Sequence, residues 1–201
     1  MRRRFLIILV AASVLAAVAG AGAAYLVSAS RYRPTIEIVG DRALPDFTLV
    51  DQHGREFTLS SVKGRAVLIY FGYTHCPDVC PLVMTKYKRL VETLGPDADR
   101  VALIFITVDP ERDTQEVMGK YVGYYSDRII GLTGPPEKVY EVMGKFNVYA
   151  AKVPVEGGGD YLVDHYALVL GADRNHILRI AFTPDMDFQE YLNGVRYLLS
   201  R

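Results

Sequence analysis

The spacing of apolar and polar positions changes several times along this chain, and each change marks an element. Residues 5–30 carry no charge and are rich in Leu, Ile, Val and Ala, with no polar face interrupting them. A bilayer is crossed by roughly 20 apolar residues, so residues 1–30 are expected to form a single transmembrane helix. Arg2, Arg3 and Arg4 precede it, which keeps the N-terminus cytoplasmic and places Arg31 onward outside. A cleaved signal peptide is the alternative, but its apolar core is about 7–15 residues, shorter than this run. Residues 31–44, with Pro34, read as a linker, and residues 45–201 as one domain.

Within that domain, residues 47–50 and 55–59 alternate like strands around Asp51-Gln52-His53-Gly54, a hairpin signal. Residues 66–72 are continuously apolar, as in a strand buried on both faces. A helix follows from about Pro81 to Leu94, with Val83, Tyr87, Leu90, Val91 and Leu94 on one face. Val101–Val108 reads as a second buried strand. A helix then starts near Asp113, with Glu116 completing a capping box. A strand near 128–132, a helix from Pro136 and an extended stretch at 148–153 come next. After Gly157-Gly158-Gly159, residues 161–170 and 177–182 read as two strands around Ala172-Asp173-Arg174-Asn175. The last helix carries Phe188, Tyr191, Leu192, Val195 and Leu198. The order predicts an α/β, thioredoxin-like fold with an N-terminal β-hairpin extension.

Charge narrows the functions. Three of the 23 basic residues precede the apolar stretch, leaving 20 against 23 acidic ones. A domain this slightly acidic lacks the basic stripe of a nucleic-acid binder.

The chemistry sits between the first buried strand and its helix, in Gly72-Tyr73-Thr74-His75-Cys76-Pro77-Asp78-Val79-Cys80-Pro81. Cys76 and Cys80 are the only cysteines. Pro81 suits a first helical turn, which puts Cys80 at the helix boundary and Cys76 in the loop before it. A helix start favours the thiolate. The plain reading of two exported cysteines is a structural disulfide. The wider C-x-x-x-C spacing also lets both sulfurs face one soft ion such as Cu(I), with an imidazole as third donor. Four histidines are available. His53 and His176 lie in turns and read as solvated. His75, adjacent to Cys76, points away from it in extended backbone. His165, in an apolar strand beside Asp164, is either a buried histidine bonded to backbone or a ligand. Asp78 reads as a helix-start charge. Asp109 is a turn residue or a neighbour of the cysteine loop. The tyrosines read as core.

The cysteine segment resembles the signature of the Sco/SenC copper-binding proteins. Thr107-Val108-Asp109-Pro110-Glu111-Arg112-Asp113-Thr114 is similar to that family's second motif, and Tyr161-Leu162-Val163-Asp164-His165 to its third. The resemblance runs from about Pro45 to Leu199. It implies copper held by Cys76, Cys80 and His165, with Asp164 orienting the histidine. It also implies a domain on the outer face of a bacterial cytoplasmic membrane, acting in assembly of the binuclear copper centre of cytochrome c oxidase. The expected partners are the oxidase's copper-bearing subunit, another copper chaperone and a thioredoxin-like reductant. Tyr166 stands where the family commonly has a small hydroxyl residue. Two functions stay open: a copper metallochaperone, or a thiol–disulfide oxidoreductase acting through Cys76 and Cys80. A redox or copper sensor and a peroxidase are weaker readings, the last because the second cysteine is too close for the usual peroxidatic loop.

Overall fold

A computed structural model describes residues 14–20, 37–38, 40–155, 157 and 160–201. The chain divides into two units, residues 1–33 and 34–201. In the first, residues 14–20 are helical and exposed, and the rest of the expected anchor lies outside the described residues. No helix among the described residues is long and apolar enough to cross a membrane.

Among its described residues the second unit holds nine strands: β1 Thr48–Asp51, β2 Glu56–Thr58, β3 Ala66–Gly72, β4 Val101–Thr107, β5 Ile129–Thr133, β6 Ala150–Pro154, β7 Tyr161–His165, β8 Val169–Ala172 and β9 Leu178–Phe182. Its helices are α1 Val79–Leu94, α2 Gln115–Tyr125, α3 Pro136–Lys145 and α4 Phe188–Leu199. Seven strands form one sheet in the order β2-β1-β5-β4-β3-β8-β9. β3, β4 and β5 run parallel, while β1 and β8 flank them antiparallel. Every residue of β3 and β4 is buried, as continuous apolar runs require in a sheet covered on both sides. Successive side chains point to opposite faces. Thus Tyr70 meets Phe105 on one side and Phe71 meets Phe146 on the other.

The thioredoxin-like plan expected from the sequence is present, with four local differences. α1 begins at Val79, two residues before Pro81, so Cys80 occupies the first turn rather than the boundary. α2 is capped by Thr114, whose hydroxyl accepts from the Val117 amide, and not by Asp113. Asp113 is fully buried and its carboxylate is used elsewhere. The stretch 161–170 is two strands, not one. β7 leaves the main sheet and pairs only with β6, whereas β8 joins β3. Finally, His176 is buried, not solvated. Its φ of 62° turns the side chain inward, with Nε2 3.4 Å from the Val62 carbonyl.

The C-terminal helix packs through a missing side chain. A Cβ at Gly194 would stand 2.4 Å from the Phe182 ring, which itself stacks on Tyr191. Gly194→Ala is therefore expected to lower stability by about 1–3 kcal/mol through overpacking. Gly123→Ala, at an open helical position, is expected to be neutral or to stabilise by up to about 1 kcal/mol. Urea unfolding midpoints of the two variants check both signs.

Candidate metal centre

Three side chains far apart in sequence meet beyond the carboxyl end of β3, where open α/β sheets place their sites. Cys76 lies in the loop after β3, its amide donating to the Tyr73 carbonyl at 3.3 Å. Cys80 sits in the first turn of α1. His165 is the last residue of β7, paired across the small sheet with Ala150. Their donor atoms, two sulfurs and a ring nitrogen, all lie within 4.8 Å of one another. Among the described residues this is the one group of three or more such donors that converges. Both cysteines are reduced. Cys80 is wholly buried, Cys76 nearly so, and His165 partly exposed.

Space for the buried sulfur comes from a glycine. A Cβ at Gly72 would stand 2.9 Å from Cys80 Sγ and 2.8 Å from the Tyr70 ring. The Tyr70 hydroxyl donates to Cys80 Sγ at 3.4 Å. His165 Nε2 faces the same sulfur at 3.9 Å, while its Nδ1 is 3.3 Å from the Tyr166 carbonyl. Tyr73 holds the imidazole edge-on, ring centroids 5.7 Å apart. Fixing one ring nitrogen on a carbonyl leaves the other as the donor.

The two cysteines differ in acidity. A hydrogen bond from Cys80, helped by His165 and by backbone amides, holds the Cys76 thiol far below the usual range despite burial. The same bond to Cys76, together with burial, pushes Cys80 up. The thiolate is thus favoured at Cys76 over Cys80.

The second motif holds both ligand carriers. Asp113 accepts from the Thr74 amide (3.1 Å), the Thr74 hydroxyl (2.6 Å) and the Thr107 hydroxyl (2.6 Å). It thereby pins the start of the cysteine loop to β4. Asp109, also buried, accepts from Arg112 Nε at 2.5 Å and from the Tyr161 hydroxyl at 2.9 Å. Arg112 also donates to the Tyr161 carbonyl and to Asp160. Its guanidinium lies 3.6 Å over the Tyr161 ring, a contact worth up to about 2 kcal/mol when desolvated. Arg112 and Asp109 thus fasten the strand that ends in His165.

The remaining expected residues fall outside the group. His75 is 47% exposed and bonds Thr74, with Asp113 at 3.7 Å. His53 is exposed in its turn, and His176 lies buried beneath Val62. Asp78 occupies the N-cap position of α1 without a side-chain capping bond. Asp164 is exposed, and no hydrogen bond joins it to the His165 ring, whose Nδ1 is taken by a backbone carbonyl. Tyr166 is an exposed neighbour of the imidazole. Tyr70, Tyr73, Gly72 and Arg112 are functional positions that sequence reasoning passed over. Gly72 alone carried a signal, since a glycine closing a buried strand marks a close approach.

The SCO1/SenC family model matches residues 37–200. A zebrafish "Protein SCO2 homolog, mitochondrial" is 43% identical over 153 residues, 75% of this chain and 51% of that protein. A Rickettsia felis "SCO2-like protein" is 35% identical over 177 residues, 81% of this chain and 83% of the relative. The chain thus spans about half the length of its vertebrate relative. The structure of Bradyrhizobium japonicum ScoI with copper bound is similar at a TM-score of 0.72 and 39% identity, over 79% of this chain and all of that one.

The acidity split has a direct test in the metal-free, reduced protein. Alkylation by iodoacetamide follows the thiolate. At pH 6 Cys76 is expected to react and Cys80 to stay unmodified, read by mass spectrometry of the peptides. Cys80→Ala removes the principal hydrogen bond that lowers Cys76, so its pKa rises, its thiolate fraction at pH 6 falls, and its alkylation slows.

Proposed function

This chain belongs to the SCO1/SenC family, and we propose that it is a membrane-anchored copper metallochaperone in which Cys76, Cys80 and His165 hold the metal. Its task is to deliver copper to, or prepare, the binuclear copper centre of cytochrome c oxidase. The observation that carries this reading is the convergence of the three donors. Two thiolates and a neutral imidazole form a set that suits copper. Gly72 leaves room beside the sulfur where any side chain would intrude. The burial order suggests how cargo leaves. Cys80 is enclosed, while His165 is the most accessible of the three, so an incoming donor from a partner displaces the imidazole first and the buried sulfur last.

The apolar residues 5–30 and the arginines before them support an anchor in a bacterial inner membrane, with the domain on the periplasmic side. The copper-bearing subunit of the oxidase is the recipient. A second copper chaperone supplies the metal, and a thioredoxin-like reductant returns the cysteine pair to its dithiol state. The Cys76 thiolate beside a protonated Cys80 also favours a second reading, thiol–disulfide exchange that keeps the oxidase's cysteines reduced.

His165 separates the two. His165→Ala is expected to weaken Cu(I) binding at least about 100-fold, beyond the range for residues that only orient a ligand. Exchange with a model disulfide should persist. Competitive titration of the full chain against a Cu(I) chelator reads the first, and thiol release kinetics the second. Unchanged copper affinity would remove His165 from the site. Absence of exchange in the reduced wild type would end the second reading.

A further inference from the structure

Cys80 has no exposed surface, yet a line of aromatic rings runs from its sulfur to solvent. The Tyr70 hydroxyl donates to Cys80 Sγ at 3.4 Å. From Tyr70 the ring centroids step 5.9 Å to Phe105, 5.3 Å to Tyr121, 5.5 Å to Tyr125 and 5.1 Å to Tyr124. Tyr70 and Phe105 are wholly buried and Tyr124 is 81% exposed. Tyr121, Tyr124 and Tyr125 stand at i, i+3 and i+4 of α2, spacing that brings side chains together on a helix. Ring packing alone does not explain the hydroxyls. That of Tyr121 is buried and makes no well-formed hydrogen bond, a burial cost that phenylalanine at this position would avoid.

We infer that Tyr124, Tyr125, Tyr121 and Tyr70 form a one-electron conduit through which an outer-sphere oxidant at the surface oxidises the buried cysteine pair. Phenols are oxidised one electron at a time with loss of the hydroxyl proton, and a thiolate gives up its electron more readily than a phenol. A hole placed on Tyr124 therefore runs inward to sulfur: Tyr124 and Tyr125 exchange their protons with water, the Tyr121 hydroxyl passes its proton to that of Tyr125, Tyr70 passes its own toward the sulfur pair it donates to, and each phenol takes back electron and proton as the hole moves on. Phe105 is crossed by tunnelling between its tyrosine neighbours. Removal of the first electron, as the two sulfurs close on each other, leaves a disulfide radical anion. Removal of the second completes one S–S bond. In total the pair loses two electrons and the sulfur-bound proton goes to water, while two molecules of oxidant are each reduced by one electron. The sulfurs already lie within 4.8 Å. The route needs no metal and stands apart from the copper assignment.

The test uses the full, metal-free, reduced chain and two oxidants. Photogenerated tris(bipyridyl)ruthenium(III) is bulky and takes one electron at the surface. Diamide is a two-electron reagent that must touch a thiolate. With the ruthenium oxidant, the double variant Tyr121→Phe/Tyr125→Phe is expected to lose its thiols at least tenfold more slowly than wild type. Tyr121→Phe alone should strand a longer-lived tyrosyl radical on Tyr124 or Tyr125, visible by electron paramagnetic resonance. Diamide oxidation should be unchanged in both variants. An unaltered ruthenium rate overturns the conduit. So does an equal slowing by both oxidants, which would mean that the sulfurs had moved.

Discussion

Two buried carboxylates, four residues apart in the segment after β4, hold the site together. Asp113 grips the cysteine loop through Thr74, and Asp109 with Arg112 grips the strand that ends in His165. Cys80 packs on β3 through α1, but the Cys76 loop and the His165 strand lie outside the pairing of the main sheet. The cysteine loop lies beyond β3, and β7 pairs only with β6. Without a common anchor their separation would be set by loop freedom, and ordering each residue costs roughly 1–2 kcal/mol. Charge-assisted bonds to buried carboxylates, at about 1.5–3 kcal/mol each, offset that cost and hold the loop and the strand against the end of β4.

The same strand end sets the chemistry of the sulfurs. Because β3 finishes in a glycine, the first turn of α1 approaches closely enough for Cys80 to meet Tyr70 and Cys76 together. The hydrogen bond between the sulfurs, reinforced by burial, raises Cys80, and the same bond lowers Cys76. One half-buried imidazole, one nearly buried thiolate and one enclosed thiol form a graded set of donors. That gradation suits a site that must both hold and release its cargo.

Much of this was legible in the chain. The continuous apolar runs at 66–72 and 101–108 had to be central strands, and the observed β3 and β4 match them within a residue. Cys76 and Cys80 were placed by the strand-to-helix switch around them. The convergence of His165 came from motif resemblance, since no local pattern records a contact across 85 residues. What stayed hidden was tertiary. Residues 161–170 look like one strand because both halves are apolar, but only the second half pairs with β3. Asp113 looks like a cap because an acidic residue precedes a helix, whereas Thr114 does the capping and frees Asp113 for the cysteine loop. His176 looks solvated because its turn is polar, yet its positive φ folds the ring inward. Arg112 stood in the sequence only as one residue of a motif, and its place over Tyr161 belongs to the fold.

Arg112 and Asp109 hold the strand that brings the His165 imidazole to the two sulfurs. X-ray absorption spectroscopy at the copper edge, on the full chain loaded with Cu(I), tests it most directly. The wild type should show two sulfur scatterers and one imidazole nitrogen, and Arg112→Gln should lose the imidazole while keeping both sulfurs. An imidazole signal that survives in Arg112→Gln would contradict the account, and so would a wild-type spectrum containing sulfur alone.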